Sequence, residues 1–246
     1  MKCYKLVTQV LQAYGGFQYT LGEWTPMLGG AETLCNSGWY HVYDHPLLAV
    51  LLNPLHRNLA RPKLFECTYD GRLRTRDDQG MKRGVRRLRL DKELPLPVIT
   101  PCQCTRVAIY CAQPIQSCKS WAEWAKSWLR GKDRTSSSAM QIQRELDRGL
   151  RATVPTPVRT ANRCALAAAD AARPAADAAR HAAKHADDSV GGARWVTTAR
   201  AIEHAARFAK LIKKPKNAAY WVKLIEKAIF DEDKLQKALV PEGKPC

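Results

Sequence analysis

The chain has 246 residues, 46% of them apolar, and its 40 Lys and Arg against 23 Asp and Glu give a net charge of +17. That apolar share excludes a wholly disordered chain, and the length suits a compact domain with a helical extension. A positive surplus of this size repels itself unless something anionic screens it, which points to nucleic acid or an acidic protein surface as partner.

Nine cysteines at irregular spacing, from Cys3 to Cys246, do not form the even-numbered framework of a small secreted protein and read as reduced thiols. No run of 18 apolar residues occurs, and the first sixteen residues lack the apolar core of a signal peptide, so a cytoplasm-like compartment and no membrane are expected. Residues 3–8 predict an opening strand and 17–24 (FQYTLGEW) a second. Residues 38–43 predict a third, and His45-Pro46 starts a buried helix through Leu52 that stops at Asn53-Pro54. Residues 63–69 predict a further strand, Asp70-Gly71 a turn, and 81–90 a returning strand with Arg87 and Arg89 on one side and Leu88 and Leu90 on the other. Residues 94–100 predict a short edge strand broken by prolines.

From residue 120 the apolar period becomes helical, with Trp121, Trp124 and Trp128 on one face, which either pins the helix to its neighbours or forms a docking face. A short helix to about Arg151 follows, then heptad-like Ala repeats over 161–188 interrupted at Pro174, and further helices that include Trp221 to Ile229. The expected fold is α+β: a small mixed or antiparallel sheet domain (1–130), a linker with a short helix (131–160), and an Ala-rich, basic helical region (161–246) suited to homo-oligomerisation.

The main candidate site is a basic hairpin. Arg72, Arg74, Arg76, Lys82, Arg83, Arg86, Arg87 and Arg89 lie within eighteen residues, opposed by Asp77 and Asp78. On a two-stranded ribbon such charges can follow phosphates, and the absence of aromatic residues among them favours backbone contact over base stacking. The bland reading is a solvated edge that resists aggregation. Lys210, Lys213, Lys214 and Lys216 form a second cluster, which reads as complementing a helix C-terminus.

His181 and His185 are one helical turn apart, and Cys102, Cys104, Cys111 and Cys118 crowd together, but neither spacing is that of a zinc site. No metal is expected, and the cysteines read as buried thiols on a strand. His41 and His45 could join Glu66 or Glu93 in acid and base work, or could simply cap the strand-to-helix junction.

Leu34-Cys35, Gly38, His41, HPLLAVLLNPLH (45–56), LFECTYDG (64–71) and LRLDKELPLPVIT (88–100) resemble an uncharacterised family of bacteriophage and prophage proteins whose members often carry an Ala-rich helical tail. That resemblance implies the host cytoplasm or the virion as location and brings no activity with it. More remotely, the order of elements looks like the split sheet of ADP-ribosyltransferase-type enzymes, which would make Tyr4, His41 and Glu93 the positions for NAD contact and catalysis. The expected function is that of a phage-encoded protein that binds an anionic partner without a cofactor; the alternative is an NAD-dependent transferase.

Overall fold

The computed structural model describes residues 2–34, 36–56, 59–70, 80–114, 118–151, 163, 199–202, 204–205 and 218–239. Among the described residues, the strands β1 (Lys2–Val7), β2 (Tyr40–Tyr43), β3 (Lys63–Asp70), β4 (Lys82–Val85) and β5 (Arg87–Leu94) accompany the helices α1 (Pro46–His56), α2 (Pro101–Ala112), α3 (Lys119–Leu129), α4 (Ser136–Arg151) and α5 (Ala218–Leu239). The chain is α+β with its strands in the N-terminal part, as its alternating and helical periodicities imply. It divides into two compact units, residues 1–98 with 206–222, and residues 99–205 with 223–246. The Ala repeats, the 210–216 lysines and His181 and His185 lie outside the described residues.

The sheet has the order β4-β2-β1-β3-β5, and every pairing is antiparallel. Its two edge strands, β4 and β5, are separated in sequence by Arg86 alone. Laid flat, those edges would be four strand spacings apart, about 19 Å, and a single connecting residue cannot bridge that gap. The sheet therefore rolls up, and residues 82–94 form one bent strand that supplies both rims. Leu88 and Leu90 pack in the same core cluster as Val85, although an unbroken strand would turn residues 85 and 88 to opposite faces. Arg86 is the extra residue that makes the corner, in the manner of a bulge.

Cys3, Val7, Tyr19, Tyr40, Val42, Phe65, Cys67, Val85, Leu88 and Leu90 fill the interior. Lys5 shares their side of β1 and is 7% exposed. Its ammonium donates to the His41 carbonyl at 2.8 Å and lies 5.5 Å from the centre of the Tyr19 ring. Burial pushes its pKa down to about 8, because a charge taken from water is disfavoured. Where Trp39 crosses β4, a Cβ at Gly84 would lie 2.5 Å from Leu34 Cδ1 and 3.0 Å from Trp39 Cβ, so no larger residue fits without displacement.

Four expectations change. Residues 94–100 form no separate edge strand, because β5 ends at Leu94 and 95–100 have no regular structure before α2. Residues 17–24 form no extended ladder; this segment makes isolated bridges, Leu21 to Leu90 and Trp24 to Arg89. Helix α1 runs through Pro54 to His56, and its exit is held by the Asn53 amide, which donates to the Leu59 carbonyl and accepts from the Leu59 N–H. Cys102, Cys104 and Cys111 lie on α2, not on a strand; the helix is started by Thr100 and Gln103, which form a capping box with Pro101 at the first turn.

Trp121, Trp124 and Trp128 are buried, at 1%, 6% and 1% exposure. They are part of the packing, which overturns the docking-face alternative. Burial raises the Cys111 pKa to about 12, and Cys3, Cys67 and Cys104 are likewise buried, whereas Cys102 and Cys118 are partly accessible. Iodoacetamide at pH 8 is expected to label Cys102 and Cys118 in the native protein and to reach the four buried thiols only in denaturant, as read by peptide mass spectrometry.

Candidate functional site

The sequence places eight cations on one hairpin. Arg72, Arg74 and Arg76 lie outside the described residues, and the other five do not share a two-stranded ribbon. Lys82 and Arg83 are in β4, which pairs with β2, whereas Arg87 and Arg89 are in β5, which pairs with β3 on the far side of the sheet order. The bend at Arg86 is the physical reason, because it sends consecutive basic residues to opposite rims.

The five differ in how far their charge is compensated. Lys82 is 6% exposed. Arg83 pairs with Asp44 at 2.5 Å. Burial raises the Asp44 pKa despite the opposing charge and hydrogen bond of Arg83. The pair lines an open cleft of about 270 Å³ with His45, Ala218, Ala219 and Val222.

On the other rim, Arg86 Nε donates to the Leu28 carbonyl at 2.7 Å, and Arg87 Nε to the Thr25 carbonyl at 3.1 Å. Those acceptors are neutral, so both guanidinium groups keep their charge while their orientation is fixed. Arg89 Nε donates to Asp91 at 2.6 Å. Burial acts to raise the Asp91 pKa, but hydrogen bonds from Thr68 and Arg89 outweigh it and hold the carboxyl below its ordinary value.

The same rim carries an aromatic residue that local sequence does not reveal. Residues 22–28 run along the outer side of β5, with the N–H groups of Gly22, Thr25 and Leu28 donating to the carbonyls of Leu90, Leu88 and Arg86. This sets Trp24 against β5, with Arg87 Cζ 5.2 Å and Arg89 Cζ 5.3 Å from its ring. Trp24 is 36% exposed, and Leu21 and Met27 on the same segment are 52% and 51% exposed. Trp24 is about sixty positions upstream of the arginines; the one sequence signal was a tryptophan in a segment with weak strand alternation.

Tyr4, His41 and Glu93 do not meet. Tyr4 stands opposite Tyr43 and Glu66, and His41, two residues from Tyr43, shares that face. Glu93 stands opposite Phe65, a residue of the interior cluster, and therefore belongs to the other face. His41 and Glu93 are also engaged locally. His41 Nε2 donates to the Leu34 carbonyl at 2.6 Å, and Glu93 pairs with Lys63 at 3.1 Å. His45 Nδ1 accepts the Leu47 N–H at 3.3 Å, the capping alternative for this junction. Among the described residues, no group of three or more His, Cys, Asp or Glu is arranged to hold a metal ion, and no helix is long and apolar enough to cross a membrane.

Comparison with protein-family models, with curated proteins and with solved structures gave no match.

Proposed function

We propose that this chain, of the phage-encoded kind its N-terminal motifs resemble, is a nucleic-acid-binding protein whose contact surface is the β5 rim. The observation that carries this reading is the row of Arg86, Arg87 and Arg89, two of which bond neutral carbonyls, on a chain with net charge +17. A guanidinium held in place by a neutral acceptor suits phosphate oxygens, because binding releases condensed counterions at little ordering cost.

The double variant Arg86→Glu/Arg87→Glu is expected to weaken binding of a labelled 20-mer at least about tenfold at moderate salt. It should also flatten the plot of log Kd against log salt by about two phosphate contacts. Lys119→Glu, on an exposed α3 side chain, is the comparison and should change Kd less than about twofold. Filter binding at several salt concentrations measures both. An unchanged salt slope in the double variant would sink the assignment of this rim.

A further inference from the structure

Resting on the nucleic-acid reading above, we propose that Trp24, with the Arg87 and Arg89 guanidinium groups against it, is a stacking surface for an unpaired base, and that the ligand is single-stranded. Three observations meet here. Trp24 is a large ring left more than one-third exposed, whereas Trp39, Trp121, Trp124, Trp128 and Trp221 are buried elsewhere in the chain. Both guanidinium groups lie within cation–π range of that ring. Their Nε atoms are tied to Thr25 and Asp91, which holds these planar groups in place before a ligand arrives.

Aromatic rings and guanidinium planes are the two side-chain surfaces on which unpaired bases stack, while adjacent positive charge follows the backbone. A duplex keeps its bases stacked on each other and offers such a surface only phosphates. A flexible single strand presents both partners at once, and Leu21 and Met27 add exposed apolar contact on the same segment. An acidic protein could satisfy the arginines but would leave the ring without a stacking partner, so the observations favour nucleic acid.

The test uses the full chain with oligo(dT) of twelve nucleotides, a twelve-base-pair duplex, and poly-glutamate as a base-free polyanion, with wild type, Trp24→Ala and Trp24→Phe compared. Trp24→Ala is expected to weaken oligo(dT) binding about five- to a hundredfold, duplex binding less than about twofold, and the urea midpoint hardly at all. Trp24→Phe should restore most of the oligo(dT) affinity, and it keeps the test decisive if the alanine variant is unstable. If Trp24→Ala affects both nucleic acids alike or neither, while Arg86→Glu/Arg87→Glu weakens both, stacking is overturned and the electrostatic rim survives. Poly-glutamate binding as tightly as oligo(dT) would overturn nucleic acid as the partner class, and no binding to any of the three would overturn both readings.

Discussion

Trp128→Ala is expected to cost about 3–5 kcal/mol of folding stability, seen as a large fall in the urea midpoint followed by far-UV circular dichroism. The indole is 1% exposed and sits on the buried face of α3 with Trp121, Trp124 and Ala125. The Arg134 guanidinium lies 4.7 Å from its ring and donates from Nε to the Trp128 carbonyl at 3.1 Å. Truncation would open a cavity and strand that guanidinium beside it. Trp128→Phe separates volume from chemistry, because the indole N–H has no acceptor among the described residues. Phenylalanine keeps most of the bulk and removes a buried donor that gains nothing, so its cost should stay below about 1.5 kcal/mol. A wild-type midpoint for Trp128→Ala would mean that this face is not part of the core.

Lys5→Met is expected to work in the opposite direction. The amine titrates near 8 in the folded protein against an ordinary value of 10.5, so below pH 8 the fold must hold a charge in an interior that disfavours it. The difference corresponds to about 3 kcal/mol of destabilisation, and loss of the hydrogen bond to the His41 carbonyl gives back about 1 kcal/mol, leaving a net gain of about 2 kcal/mol for the methionine variant at pH 7.

The sign follows from proton counting. Between about pH 8 and 10.5 the unfolded chain binds more protons at this position than the folded one, so the wild-type penalty fades as pH rises through that window. Burial of Cys111 acts oppositely at the alkaline end, because it holds that thiol protonated in the fold up to about 12. The informative quantity is therefore wild type minus variant, which cancels contributions common to both. Urea titrations at pH 7 and pH 10 should show the variant's advantage shrinking. An advantage that persists unchanged would mean that Lys5 is not buried as a charged amine at neutral pH.

The parts of the fold legible in the sequence are those written in short-range periodicity. The alternation of Arg87, Leu88, Arg89 and Leu90 assigned faces to β5 correctly, and the spacing of Trp121, Trp124 and Trp128 marked the buried side of α3. Helix α2 carries its own start signal, Thr100-Pro101-Cys102-Gln103, whereas the cysteines that follow have no spacing that tells a helix from a buried strand. Partner choice in the sheet was not legible. Nothing local tells Arg83 that its strand pairs with β2 while Arg87 pairs with β3, because that depends on curvature around a filled interior. For the same reason local sequence shows no aromatic residue among the basic ones, although Trp24 reaches them through a long-range backbone path.

The single residue between β4 and β5 also bears on how the chain folds during synthesis. Until residues 82–94 have left the ribosome the enclosure has no last walls, so β2 waits for β4 and β3 for β5 with an unpaired edge, and the apolar side chains of the interior face water. Such edges are the templates on which chains join to one another. The first ninety-four residues must therefore fold nearly all at once, and a pause in translation before that point exposes the nascent protein to its greatest risk of aggregation.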